Sequence, residues 1–492
     1  METTLLQLSP EDRFKFALTL PIKLVLDICK KNNTLNTTIC FNEEFWKQRY
    51  IKQYGSVSPE PMSWKELYLS KSLTSAGGKV WVQGSNSFGE LGLGYIGMVS
   101  EYTLISSLKN KILKVASGSG HALFLDIHNN VWVSGSNSNG QLGLGNFNNQ
   151  LVPVKIPNIK AKEIACGSEH SLLIDLNNNV LSFGSGAYGQ LGLGELNEQV
   201  SITTPRQVPN IKALQIDGGT YHSIILDLNN NVWTTGINTH GRLGIENLVG
   251  SKIYTFHKIP NIKAKQISTS VAHTLLIDMD NNVFAFGMGS FSRFGLDDIQ
   301  DRHVPTQIPN IKAKYISAGR LNSSIITLDD GVLNAGSNSS GQLGLRFISD
   351  DIFVGFYIVN NLKGKQISVG NTTMLLLDEN DDVWRWGSKL VEYEMVKSGT
   401  PEKIPNIKGS YVCTSYDSIY IIENTSLISF EELEILFQDN KIVKVDIDPS
   451  LQVYYKALNN VYLLTLTDTA GIVYYGYAGY DQSTNKISPP KK

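Results

Sequence analysis

The sequence predicts a mainly β protein built as a closed ring of small sheets, preceded by a short helical domain. Three observations predict it. A glycine-rich phrase running into Gly-x-Leu-Gly, or a close variant, returns six times, from Gly84, Gly135, Gly184, Gly236, Gly287 and Gly336. The starts lie 51, 49, 52, 51 and 49 residues apart, a period that marks a repeat architecture. Each period holds short apolar runs of strand length, and four antiparallel strands per roughly 50-residue unit make a propeller blade.

Residues 1–75 read differently, as four short amphipathic helices. Ser9-Pro10-Glu11-Asp12 supplies a cap, a first-turn proline and first-turn acids. Leu20-Pro21 opens "PIKLVLDICKK", with Leu24, Val25 and Ile28 on one face. Asn42 caps "EEFWKQRYIKQY", where Trp46 and Tyr50 stand one turn apart, and Ser63–Glu66 is a capping box. The Leu-Pro opening, the apolar core and the late aromatic resemble an F-box, including versions carried by large DNA viruses. That resemblance implies docking to a Skp1-like adaptor through Leu20, Pro21, Leu24, Val25, Ile28 and Trp46, as the substrate receptor of a cullin-type ubiquitin ligase.

Residues 79–94 hold only the second half of a repeat. A lone half-unit suits a ring in which a C-terminal strand pair completes that blade and removes the sheet edges. A solenoid would instead need capping repeats at both ends. The unit at 164–194 shows the elements of a blade. Ser171–Asp175 and Val180–Phe183 read as strands, and the asparagines between them tolerate the left-handed backbone of a tight hairpin. "EIACG" precedes them as a third strand, and "VPVKIPNIK" holds a fourth, its prolines confining it to a strand end or loop. The "IPNIK" connector recurs at Pro157, Pro209, Pro260, Pro309 and Pro405, with Val359–Lys363 in the remaining place, and marks the crossings between blades.

Units such as "SGSGHALFLDIHNNVWVSGSNSNGQLGLG" are similar to the repeat of the regulator-of-chromosome-condensation (RCC1-like) propellers. The likeness covers residues 76–390 and fades beyond Gly387, where "SKLVEYEM" replaces the glycine phrase; weaker echoes follow at 411–430 and 461–476. The resemblance implies a β-propeller over 76–480 with seven blades, eight remaining open, and a flexible tail at 481–492. It also implies an alternative role, a guanine-nucleotide exchange factor that pries nucleotide from a small GTPase with a protruding loop. No insertion within 112–346 is long enough for such a wedge. A plain structural scaffold is the third reading.

Composition bounds the rest. With 18% charged residues and a net charge of −2, no bulk attraction to nucleic acid or an anionic membrane is expected. No apolar run reaches membrane-spanning length and no signal peptide opens the chain. The four scattered cysteines suggest neither a disulfide framework nor a zinc site, so an intracellular protein, cytoplasmic or nuclear, and a monomer, is expected.

No catalytic, cofactor or metal residue is assigned, and no catalytic signature motif occurs. His121, His170, His222 and His273 share one position in successive units, followed by Asn322, Thr373 and Asp417. Metal ligation and hydrogen bonding are the competing readings; rotation about the ring axis and the Asn and Thr replacements suit the second. Asp126, Asp175, Asp227, Asp278 and Asp378 read as turn formers beside the hairpins. Lys160, Lys162, Lys212, Lys263, Lys265, Lys312, Lys314, Lys363 and Lys365 stand on the connectors. They form either a basic annulus for phosphates or an acidic protein, or a solvated rim protecting strand edges.

Overall fold

The computed structural model describes residues 78–194, 201–391 and 394–424, together with the strand backbones at 442–447, 461–468, 473–481 and 486–488. Leu20, Pro21, Leu24, Val25, Ile28 and Trp46, expected to dock an adaptor, lie outside the described residues.

Seven four-stranded antiparallel blades make the ring. In blade 1, Ile112–Ser117 is innermost, followed outward by His121–Asp126, Asn130–Gly135 and the first part of Gln150–Cys166. That last strand is a single element of 17 residues, and its second part, Ala161–Cys166, is the innermost strand of blade 2. The same device joins blades 2 to 3, 3 to 4, 4 to 5 and 6 to 7 through Ser201–Gly218, Lys252–Thr269, Arg302–Ala318 and Glu394–Ser415. Blade 7 takes the end of Glu394–Ser415 and Ser418–Glu423 from one side of the seam. From the other it takes Val80–Asn86 and Gly97–Leu104, so the early half-unit closes the ring.

Left-handed asparagines make both bends of this path. Asn129, Asn178, Asn230 and Asn281 turn the hairpins at φ 61, 67, 63 and 70°. Asn158, Asn210, Asn261 and Asn310 sit inside the connectors at φ 57, 58, 56 and 59°, where the chain swings from one blade to the next. The two bends meet: the Asn129 carbonyl accepts the Ala161 N–H at 2.9 Å, and Asn178, Asn230 and Asn281 repeat the bond with Ala213, Ala264 and Ala313. All connectors and hairpins therefore share one face of the ring, and the glycine phrases the other.

The core lies between blades. Leu123, Leu125, Val131 and Val133 of blade 1 pack against Ile164, Leu173 and Phe183 of blade 2. Leu142, from the Gly-x-Leu-Gly phrase, closes that layer without exposure. Gly135 cannot carry a side chain, because a Cβ there would lie 2.3 Å from the Gly120 carbonyl oxygen, and its φ is +101°.

The ring lies within the compact unit Gly77–Asn424. Outside it the described residues form a separate four-stranded antiparallel sheet, ordered Ile442–Ile447, Val461–Asp468, Val473–Asp481, Lys486–Ser488. The echo at 461–476 belongs to this sheet and to no blade, and residues 486–488 of the expected flexible tail are its edge strand.

Candidate functional site

Within the ring, each side chain singled out in the sequence has an address. The four histidines lie on the loop-face ends of their strands, fully buried, and each spans a gap between blades. His121 Nε2 meets Ser171 Oγ at 3.0 Å, His170 meets Ser223 at 2.8 Å, His222 meets Thr269 at 2.7 Å and His273 meets Ser323 at 3.0 Å. Burial pushes the imidazoles down, to about 4 for His121 and about 3 for His170, so they stay neutral. Hydrogen bonding is their role. Among the described residues no group of three or more His, Cys, Asp or Glu side chains is placed to hold a metal ion.

In the slots that follow, Asn322 donates to the Ser337 carbonyl at 2.7 Å and Thr373 to that of Ser388 at 2.6 Å. The register places Ser418, and not Asp417, in the last slot, opposite Gly84, and its hydroxyl donates to the Ser85 carbonyl at 2.9 Å.

The aspartates hold the connector-face hairpins. Asp227 accepts from the Asn229 and Asn231 N–H groups at 2.8 Å each, and from the Asn231 amide and Trp233 Nε1 at 2.9 Å each. Partial burial works to raise its carboxyl, and these donors outweigh it, holding it below the usual carboxylate range. Asp126, Asp175, Asp278 and Asp378 repeat the two backbone bonds.

The connector lysines sit on that same face, bound to the hairpins. Lys160 Nζ donates to the His128 carbonyl at 2.7 Å and to Asn130 at 2.9 Å, and Lys312 to the Asp280 carbonyl at 2.9 Å. Lys162, Lys265, Lys314 and Lys365, where the connector enters the following blade, reach that blade's own hairpin at Asn178, Asn281, Asp330 and Asp381. Lys212, Lys263 and Lys363 stand opposite Asn179, Asn231 and Gly331 in the ladders. These cations are spread over hairpin acceptors and interleaved with carboxylates.

A polar channel runs down the axis, a cavity of about 220 Å³ lined by the innermost strands. Two tiers of side chains sew neighbouring blades together there. Gln215 clasps both backbone groups of Ile267 at 2.8 and 3.0 Å, Gln366 clasps those of Val412, and Lys114 pairs with Glu163. One tier over, Asp217 accepts the Thr269 N–H at 2.8 Å, Ser268 that of Ala318 and Ser368 that of Thr414. Burial pushes the Asp217 carboxyl up to about 6. Residues some fifty positions apart make these tiers, so no local pattern announces them.

The loop face is where the repeat departs from itself. Phe88 and Phe291 occupy the tips of glycine phrases at 47% and 44% exposure, and Tyr221, just before His222, is 37% exposed. Tyr221 packs on Tyr188 with centroids 4.4 Å apart, and Lys252 Nζ lies 4.9 Å from the Tyr188 ring. Where Gln141, Gln190 and Gln342 cap their own phrases, Arg242 and Arg293 bridge to the next blade. Arg242 donates to the Val271 carbonyl at 3.2 Å, and Arg293 to that of Arg320 at 2.8 Å. The Arg320 guanidinium lies 5.8 Å from the Tyr416 ring centroid at the channel mouth.

Blade 6 departs most. In place of a glycine phrase, the ladder continues past Gly387 as a hairpin, pairing Ser388 with Lys397, Lys389 with Val396, Leu390 with Met395 and Val391 with Glu394. Leu390 is buried, while Val391, Met395 and Val396 are 39%, 47% and 41% exposed. At its base the Gly399 carbonyl accepts from Arg346 at 2.8 Å, which sets exposed Phe347 and Ile348 beside it. The fading of the repeat after Gly387 was the sequence signal for this ribbon.

A family model described as the RCC1-like domain matches residues 68–319. The X-linked retinitis pigmentosa GTPase regulator of Canis lupus familiaris is 36% identical over 289 residues, which cover 55% of this chain and 29% of that protein. The Protein RCC2 homolog of Xenopus laevis is 27% identical over 261 residues, covering 47% of this chain and 41% of the relative. The chain thus spans less than half the length of these curated relatives. Among solved structures, Prp20p of Saccharomyces cerevisiae, described with its binding properties to Gsp1p and histones, superposes with a TM-score of 0.63. It shares 21% identity over 74% of this chain and 95% of its own, a likeness of fold. The described residues contain no helix long and apolar enough to cross a membrane.

Proposed function

Because the chain belongs to the RCC1-like domain family, we propose that it is a non-enzymatic regulator that holds a small GTPase on the loop face of its propeller. One observation carries the reading: the blade 6 ribbon at Ser388–Ser398, which stands where the other blades turn on glycines and leaves Val391, Met395 and Val396 to solvent. Apolar side chains on a short ribbon are poorly used by a monomer and well used at an interface core. The aromatic residues on the same face add anchors of the type that dominates binding energy. The Canis relative is named as a GTPase regulator, and Prp20p is described as binding Gsp1p; both support the choice of partner class. Chemistry inside this chain is not required, since a regulator of this kind works by stabilising one state of its partner.

The test is guanine-nucleotide release from a panel of small GTPases, with the intact chain and a Met395→Asp, Val396→Asp variant. The intact chain is expected to accelerate release from at least one member, and the variant to lose about tenfold or more, the cost of one interface hot spot. A panel in which no member binds or releases faster overturns the reading.

A further inference from the structure

From the loop face we infer that blades 3 to 5 present a cationic and aromatic patch that receives an acidic, extended segment of a partner protein, with Arg320 as its principal contact. Arg242, Arg293 and Arg320 come from three successive blades and are joined through the Arg293–Arg320 backbone bond and the Arg242–Val271 bond. Arg242 and Arg293 are 6% and 2% exposed. Their bonds go to carbonyl and hydroxyl oxygens of Thr239, Ser290, Val271 and Arg320, so no carboxylate pairs with either. Charge buried beneath a surface is screened less than charge upon it, and projects a potential through the rim above. Burial works against both guanidiniums; for Arg293 the Asp301 carboxylate offsets part of this, while Arg242 and Arg320 add to it.

The acid that reaches both guanidiniums, Asp301, is already engaged by His240 at 2.7 Å and the Gly289 N–H at 2.9 Å. Arg320 is exposed and lies against Tyr416, which leaves its planar fork available to a carboxylate in the bidentate manner guanidinium favours. Tyr221 and Phe291 flank the patch as exposed rings, and Lys252 sits beyond Tyr188.

A polypeptide fits better than a nucleic acid. The positive region covers three blades only, too short a track for a long phosphate backbone. On a chain of net charge −2, such a patch selects a short acidic stretch and sets its register.

This inference rests on the loop face being the partner face, and its test separates the two. A labelled poly-glutamate peptide is titrated by fluorescence anisotropy against the full chain, its Arg320→Glu variant and a connector-face Lys160→Glu variant. A poly-lysine peptide and a single-stranded oligonucleotide of equal charge serve as comparison probes. Expected is salt-sensitive binding of poly-glutamate that Arg320→Glu weakens about tenfold or more and Lys160→Glu leaves unchanged. Equal binding by the Arg320→Glu variant, preference for poly-lysine, or tighter binding of the oligonucleotide overturns it. If no GTPase responds while the peptide binds through Arg320, the GTPase reading falls and the patch stands. If a GTPase responds but the peptide binds regardless of Arg320, the reverse holds.

Discussion

The two faces of the ring grow from one repeat and end in different states. On the connector face, Asp227 meets four donors, Lys160 bridges two acceptors and the Asn129 carbonyl is taken by Ala161, so polar groups are consumed by the fold. On the loop face, Phe88, Tyr221, Phe291 and Met395 stand in solvent, and the exposed Arg320 side chain lies against the Tyr416 ring. Where the repeat is obeyed, side chains serve the ring; where Arg replaces Gln or a ribbon replaces a glycine turn, surface is left over.

The largest effect to test that contrast is acid sensitivity, which should come from the inter-blade histidines. In an unfolded chain an imidazole takes a proton near 6.5, whereas His121 and His170 hold out to about 4 and about 3. Over that window the unfolded chain binds more protons, so stability is full above pH 6.5 and falls as pH drops. The slope is about 1.4 kcal/mol per pH unit for each buried imidazole. Asp217, raised to about 6, and Glu90, also raised by burial, oppose this by losing stability as pH rises through the carboxylate range, but they are two groups against four. Urea midpoints measured from pH 7.5 to 5 should fall, and His170→Asn should flatten the fall.

At the seam that both faces share, Tyr420 is fully buried, packs edge-on against Phe124 at 6.1 Å and donates to the Glu90 carbonyl at 3.1 Å. Tyr420→Ala should cost about 3–5 kcal/mol, read as a lower denaturation midpoint with unchanged slope. On the connector face, Asp227→Ala strands several donors and should cost about 2 kcal/mol, with no change in partner binding. Smallest in stability is the loop-face pair Met395→Asp, Val396→Asp, expected to stay within about 0.5 kcal/mol while abolishing nucleotide release. A large loss of stability there, or a binding defect in Asp227→Ala, would erase the distinction between the faces.

What could be read from the sequence follows from locality. The glycine phrases, the hairpin asparagines and the turn aspartates act within a few residues, so their spacing disclosed the blades and their turns. The connector asparagines were visible but their left-handed geometry was not, because "IPNIK" reads equally well as a loop. The channel tiers and the Arg242 and Arg293 bridges join positions that meet only once neighbouring blades pack. The ribbon at Ser388–Ser398 registered as decay of the pattern, since two short strands without glycines leave no periodic mark. The F-box-like segment remains a proposal. Recovery of the intact chain with a Skp1-like adaptor, compared with a Leu20, Pro21 and Leu24 triple alanine variant, tests it, and equal recovery refutes it.

The strands that end one blade and begin the next have an evolutionary consequence. Because Gln150–Cys166 and its counterparts belong to two blades at once, no cut in the chain releases one blade whole. A duplication or loss that spares the wheel must move one full period, with its phase free but its length fixed near fifty residues. Families descended from such an ancestor can change their spoke count only in integer steps, while each rim tip stays free to diverge alone.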